Sequence, residues 1–328
     1  MIYYPEAQVA PQKCIPLSIL EAMDADEHAH NLTDWQQEYD QIGSGSFYGK
    51  ISELPLGNLQ VFHEHTNQAL HQKCNVWPES VWLGLPLDPY ADSRINGLSV
   101  SHNDIMCRPG NCEFELMTPD DFDIFGIVVS YSALQKMADI QDIAIHWSDL
   151  IHHDRLSVPE KTLGALRFLL TRLLSQQTNE HQSRLQYDIV MMALLEILKK
   201  ESPNDQVTPS YHRRKLVVDQ VRDYLNQLPE KAVTITELCD HTNVSRRTLQ
   251  YCFESIVGIS PVQYLRMSRL NSVRRALSMA SAEQSIADTA SHWGFWHLSQ
   301  FAKDYRELFG EKPSDTLLRR TLVTPSMV

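Results

Sequence analysis

No run of 18 or more apolar residues occurs in the 328-residue chain, so no membrane-crossing helix is expected. The opening stretch MIYYPEAQVAPQK lacks a basic segment followed by an apolar one, which speaks against a secretory leader. Cysteine is sparse: six residues, at 14, 74, 107, 112, 239 and 252, with no C-x-x-C among them. That scatter excludes a disulfide framework and fits a reducing, cytoplasmic setting. The chain also has no Gly-rich phosphate loop, no G-x-S-x-G elbow and no H-E-x-x-H pair. An enzyme is therefore not the expected class.

What is present divides unevenly. The whole chain carries a net charge of −12, which argues against a nucleic-acid partner. Residues 205–328, however, hold 16 Lys+Arg against 13 Asp+Glu, net +3, and the remainder holds 13 against 28, net −15. An acidic front is thus joined to a mildly basic back, and the asymmetry is more telling than the sum. From about 45 to 130, short alternating apolar runs such as LQVFHEH, SVWLGLPL, CEFELM and FDIFGIVVS are broken by Pro, Gly, Asn and Asp. They predict a small β-barrel or sandwich. Residues 160–200 predict two helices, one with Leu163, Leu166, Leu170, Leu173 and Leu174 on a single face. The other has Ile189, Met192, Leu195 and Ile197 so placed. The stretch 205–211 has linker composition, and everything after it has helical periodicity.

The last third repeats itself. Thr234, Ile235 and Glu237 match Ser285, Ile286 and Asp288 at an offset of 51. Leu249, Phe253, Gly258 and Pro261 match Phe301, Tyr305, Gly310 and Pro313 at 52, so one residue is added near Gly294–His297. Each unit opens with a hydroxyl cap and an acid three residues on, then runs helix, turn, helix. In such a unit the first helix braces and the second presents its outer face to the DNA major groove. The first unit buries Val244, Leu249, Phe253 and Ile256 and turns Arg246, Arg247, Gln250 and Tyr251 outward. Arginine forks onto guanine and glutamine onto adenine. The second unit turns His297, Leu298, Ser299, Gln300 and Lys303 outward, with Leu298 suited to a thymine methyl. Ser245 and, on the helix between the units, Arg266, Arg269, Arg274 and Arg275 are candidates for phosphate contact. A solvated face with local ion pairs is the competing reading for the arginines. Trp296, at the added residue, has no role in this scheme.

The segment IADTASHWGFWHLSQFAKDYRELFGEKPS (286–314) resembles the C-terminal signature of the AraC/XylS transcription regulators, through I-A-x-x-A, G-F, S-Q-F-x-K-x-Y and F-G-x-x-P-S. ELCDHTNVSRRTLQYCFESIVGISPVQYLRMSRLNSVRRAL is similar to the same family's first unit and linking helix. The resemblance implies a seven-helix domain at 212–322 that binds two adjacent major grooves of double-stranded DNA. It also implies a sensor and dimerisation domain at 1–204 and dealings with RNA polymerase. The expected fold class is α+β: a cupin-like β-barrel sensor, a helical dimerisation segment giving a homodimer, and an all-α double helix-turn-helix. A catalytic relative of such regulators uses a zinc-bound cysteine cluster, which these separated cysteines do not supply.

The front half is similar, through NLTDWQQEYDQ, VWPESVWLGLP and RPGNCEFELMTPDDFDIFGIVVS, to members of the family that control ethanolamine-utilisation operons. That resemblance implies activation of such an operon, with ethanolamine and adenosylcobalamin as effectors. Control of another small-molecule catabolic operon is the alternative. A small cationic amino alcohol favours an aromatic wall with a carboxylate, and Trp77, Glu79 and Trp82, with Glu113 and Glu115, are the candidates, although tryptophan in a strand is most often core. His63 and His65 share a strand face and could pair on a metal with His71 as a third ligand, which would make a β-barrel metalloenzyme. No Glu and Gly at cupin spacing complete that motif, so no metal is expected. Asp120, Asp121 and Asp123 read as a turn or cap cluster.

Overall fold

A computed structural model describes residues 17–175, 180–200, 202–203, 209–228, 231–279 and 285–323. The front half is built on strands β1 (Ser18–Ala22), β2 (Gln36–Gln41), β3 (Gly49–Pro55), β4 (Leu59–Thr66), β5 (Leu70–Asn75) and β6 (Ser80–Pro86). They are followed by β7 (Arg94–Ile95), β8 (Leu98–Ser99), β9 (Asp104–Pro109), β10 (Phe114–Thr118), β11 (Phe122–Ser130), β12 (Arg155–Ser157) and β13 (Ser202–Pro203). They form an eight-stranded sheet, β1-β3-β4-β11-β6-β9-β12-β13, and a five-stranded one, β2-β5-β10-β7-β8. Neither sheet closes on itself, so of the barrel or sandwich expected over 45–130 the barrel is not formed.

The reason lies in the side-chain parity of the central strands. Along β11, Phe122, Ile124 and Val128 pack with the small sheet, whereas Phe125, Ile127 and Val129 pack on the opposite face. β6 divides in the same way, Trp82 to one side and Val81, Leu83 and Leu85 to the other. Successive residues of a strand point to opposite faces, so runs of apolar residues at successive positions bury β11 and β6 on both sides. Its outer face is covered by α2 (Tyr131–Ile140), α4 (Glu160–Leu174) and α5 (Glu180–Lys200), with α3 (Trp147–His152) beside β9 and α1 (Ala25–Ala29) beside β2. The leucine face expected on α4 is buried as a whole. On α5 the stripe is displaced: Val190, Met191, Leu194, Leu195, Ile197 and Leu198 are buried, while Ile189 and Met192 are 40% and 44% exposed.

The back half comprises α6 (Pro209–Gln227), α7 (Ile235–Thr242), α8 (Arg246–Ile256), α9 (Pro261–Met279), α10 (Ile286–His292), α11 (Leu298–Phe309) and α12 (Pro313–Val323). Residues 205–208 of the expected linker lie outside the described residues, and 209–211 already belong to α6. Two cores share α9. Tyr264 and Leu265 enter the first with Leu249, Phe253 and Ile256; Leu270, Val273 and Leu277 enter the second with Phe301, Tyr305 and Phe309.

The repeated glycines explain themselves. Gly258 and Gly310 have φ of 86° and 70°, the left-handed region that a side chain resists. At Gly310 an added Cβ would also stand 2.4 Å from Ser46 Oγ and 2.7 Å from Ser46 N. Gly310→Ala is therefore expected to cost about 1–3 kcal/mol of stability, readable as a lower urea midpoint.

Candidate nucleic-acid interface

Three of the four helices in the two units, α7, α8 and α10, start on side-chain caps that the sequence encodes locally. Thr234 and Glu237 form a reciprocal capping box at the start of α7, with Thr234 N donating to Glu237 Oε2 at 2.7 Å. Lys231 donates to the same carboxyl at 2.6 Å, and these donors hold Glu237 down at about 2. The chain then turns through Asn243, in the left-handed conformation, and Ser245 caps α8 by accepting from Thr248 N at 3.2 Å. In the second unit Ser285 caps α10, and Gly294, at φ 80°, opens the turn into α11. His297 precedes α11 without a side-chain cap.

On α8, Leu249, Cys252, Phe253 and Ile256 are inward, while Arg246, Arg247 and Tyr251 are exposed and Gln250 half-buried. Val244 is half-buried against that core. Gln250 donates to Glu254, and Arg214 lies 5.5 Å from the Tyr251 ring centroid. On α11, Phe301, Tyr305, Leu308 and Phe309 are inward, and His297, Leu298, Ser299, Gln300 and Lys303 are all exposed. Both outward faces thus lie where the repeat puts them.

The phosphate candidates are placed otherwise. Ser245 is occupied as a cap, Arg266 is paired with Asp304, and Arg269 donates to the Val233 carbonyl. Arg274 is only 7% exposed; it pairs with Asp24 and with Glu311 at 2.9 Å and covers the Phe309 ring at 4.5 Å. Arg275 meets Asp40 at 2.9 Å and Glu38 at 3.8 Å. In this arrangement neither Arg274 nor Arg275 is turned to solvent for a phosphate: acids of the front half occupy both.

These pairs belong to a longer seam that local sequence did not reveal. Gln41 N donates to Asn271 Oδ1 and Asn271 Nδ2 donates to Gln41 O, both at 3.0 Å. Gln41 Nε2 reaches the Leu308 carbonyl at 2.7 Å, at the end of α11. Arg94 Nη1 donates to the Ser255 carbonyl at 2.9 Å, at the end of α8. Arg222 of α6 pairs with Glu115, which His71 approaches at 3.5 Å. Burial pushes the Glu115 carboxyl up, but His71, Arg222 and Lys73 overcome it and hold the group at about 2. The front half therefore grips both reader units near their C-terminal ends.

The five effector candidates are not brought together. Trp82 is 1% exposed and stacked on Phe114 at 4.7 Å, a core residue. Trp77 and Glu79 sit on the turn before β6, where the Trp77 carbonyl accepts from Ser80 Oγ at 2.6 Å and Glu79 has φ 56°. Glu115 belongs to the seam, and Glu113 lines a cleft of about 780 Å³ between the halves, along with Glu38, Arg222 and Trp293. His63 and His65 both face Asp123, at 2.8 and 3.2 Å. Among the described residues no group of three His, Cys, Asp or Glu is placed to hold a metal ion, and no helix is long and apolar enough to cross a membrane.

Comparison with known proteins bears on the back half. A helix-turn-helix domain family matches residues 238–319. The XylDLEGF operon transcriptional activator 3 of Pseudomonas putida is 34% identical over 138 residues, 41% of this chain and 40% of that protein. The transcriptional regulator GbdR of Pseudomonas aeruginosa is 31% identical over 139 residues, covering 42% of this chain and 37% of that protein. The chain thus spans about two fifths of these relatives. Among solved structures, a probable AraC family transcriptional regulator from Rhodopseudomonas palustris is 34% identical, with 32% of this chain and 97% of that one covered and a TM-score of 0.30.

Proposed function

We propose that the chain is a regulator of the AraC/XylS type, on the helix-turn-helix domain matched over residues 238–319, and that it is a sequence-specific DNA-binding regulator of transcription that acts as an activator. The observation that carries this reading is the pair of outward faces, on α8 and α11, fixed to one shared helix. Reader helices of this kind enter successive major grooves about 34 Å apart, one duplex turn. Footprinting upstream of the genes beside its own, with and without effector, tests it: two protected stretches one turn apart are expected, and uniform protection sinks it. Arg247→Ala is expected to lose about 1–3 kcal/mol on the cognate duplex and to relax specificity at one base position. Titrating cognate and scrambled duplexes in parallel checks this, because loss on the cognate duplex alone marks a base contact.

Regulation is proposed to run through the seam. Arg275 is held by Glu38 and Asp40 of the front half, whereas Arg274 has Glu311 beside it within the back half, so loosening the seam releases one cation, Arg275, for phosphate. An effector drives that change by binding the released arrangement more tightly than the held one. Ethanolamine with adenosylcobalamin is the proposed pair, on the front-half resemblance, and another small catabolic substrate is the alternative. Raising the thermal midpoint with either compound supports it as effector; no shift at saturating concentration removes it. A second copy of the chain is the proposed partner for the exposed stripe of Leu185, Ile189 and Met192 on α5 and Phe168 on α4. RNA polymerase is the proposed partner in activation.

A further inference from the structure

Three aromatic residues crowd the turn into α11, and they do not share a fate. Trp293 and Phe295 pack against the second core, Phe295 lying 5.1 Å from the Phe301 ring. Trp296 is 77% exposed, while the other five tryptophans of the chain are buried or half-buried. It stands two residues before Leu298, itself 44% exposed, at the end of the helix that leads a reader into the groove. No acid lies in the first turn of α11 to repel a duplex.

We propose that Trp296 is a specificity-determining residue for DNA: its indole covers the 5-methyl group of a thymine in the half-site read by α11. The proposal rests on the DNA-reading function above. A large apolar ring left in water at a reader's tip gains from burial, and the thymine methyl is the apolar group that base edges offer in the major groove. The ring is neutral, so its contribution to binding is insensitive to salt, unlike that of Lys303 or Arg247.

The test uses the full chain and the duplex it selects from a random pool, with each thymine replaced singly by deoxyuridine, which deletes only the methyl. One methyl's burial corresponds to about fourfold in dissociation constant, so the wild type should bind one uracil duplex about fourfold more weakly. Trp296→Ala should bind the thymine duplex more weakly and bring the thymine-to-uracil ratio at that position to one. Trp296→Phe should keep part of the discrimination, and Arg247→Ala all of it. Wild-type ratios at every thymine in Trp296→Ala overturn the proposal, as does unchanged affinity with lost transcription, which marks a polymerase contact. A chain that selects no duplex at all overturns the regulator reading itself, and this one with it.

Discussion

Replacing Arg222 with alanine is expected to lower the unfolding free energy by about 3 kcal/mol, because it takes the paired guanidinium from the shielded Glu115 carboxylate and leaves it only His71 at 3.5 Å and the more distant Lys73. The cost is one of orphaning: both side chains are largely shielded from water, so Glu115 loses a partner that solvent cannot replace. The Arg222→Met, Glu115→Leu double substitution should regain most of the loss, since no charge is then left buried. Glu115 also gives the seam a signature in pH. Its folded value of about 2 lies below the ordinary 4.5, so its contribution is complete above pH 4.5 and is lost as pH falls from 4.5 toward 2. Urea unfolding across that window should fall steeply for the wild type and less so for Glu115→Gln. Equal slopes in the two proteins refute the role given to this pair.

Phe253→Ala is expected to cost about 3–5 kcal/mol, with the loss falling on the first reader. Phe253 is fully buried on the inner face of α8 and meets Tyr264 of α9 edge-on at 5.3 Å. Removing the ring takes away the support that fixes α8 against α9. The second core contains no part of that cluster. Footprinting should therefore lose the half-site assigned to α8 while protection by α11 weakens less. Equal loss of both half-sites means that the two units do not act as separate packing bodies.

The repeat was legible because its rules are local. Hydroxyl caps, an acid three residues on, a left-handed glycine and an apolar spacing of 3.6 each act within a few residues, and together they place both outward faces correctly. The choice between barrel and sandwich was not legible: alternation reports that one face is buried, while β11 and β6 are apolar on both and say nothing of closure. The α5 stripe slipped because Ile189 and Met192 neighbour Val190 and Met191, and apolarity alone does not choose between them. Arg274 and Arg275 resembled any basic helix face. Their partners lie 250 and 235 residues away in sequence, and only the −15 and +3 charge division hinted that the halves attract one another.

The reciprocal amides of Gln41 and Asn271 limit how freely such a chain can be recombined. A chimaera that joins this front half to a reader lacking Asn271, Arg274, Arg275 and Arg222 would keep Gln41, Asp24, Asp40 and Glu115 facing a surface without their partners. Each of the four would lose its partner across the seam, while Asp24 keeps the amides of α1, Gln41 the Gly43 and Gly45 carbonyls and Glu115 the nearby His71, so a graft that respects the domain boundary should still dock more weakly along the seam. Here the unit of exchange is the interface with both its walls: Asp24, Glu38, Asp40, Gln41, Arg94 and Glu115 move together with α6, α8, α9 and α11.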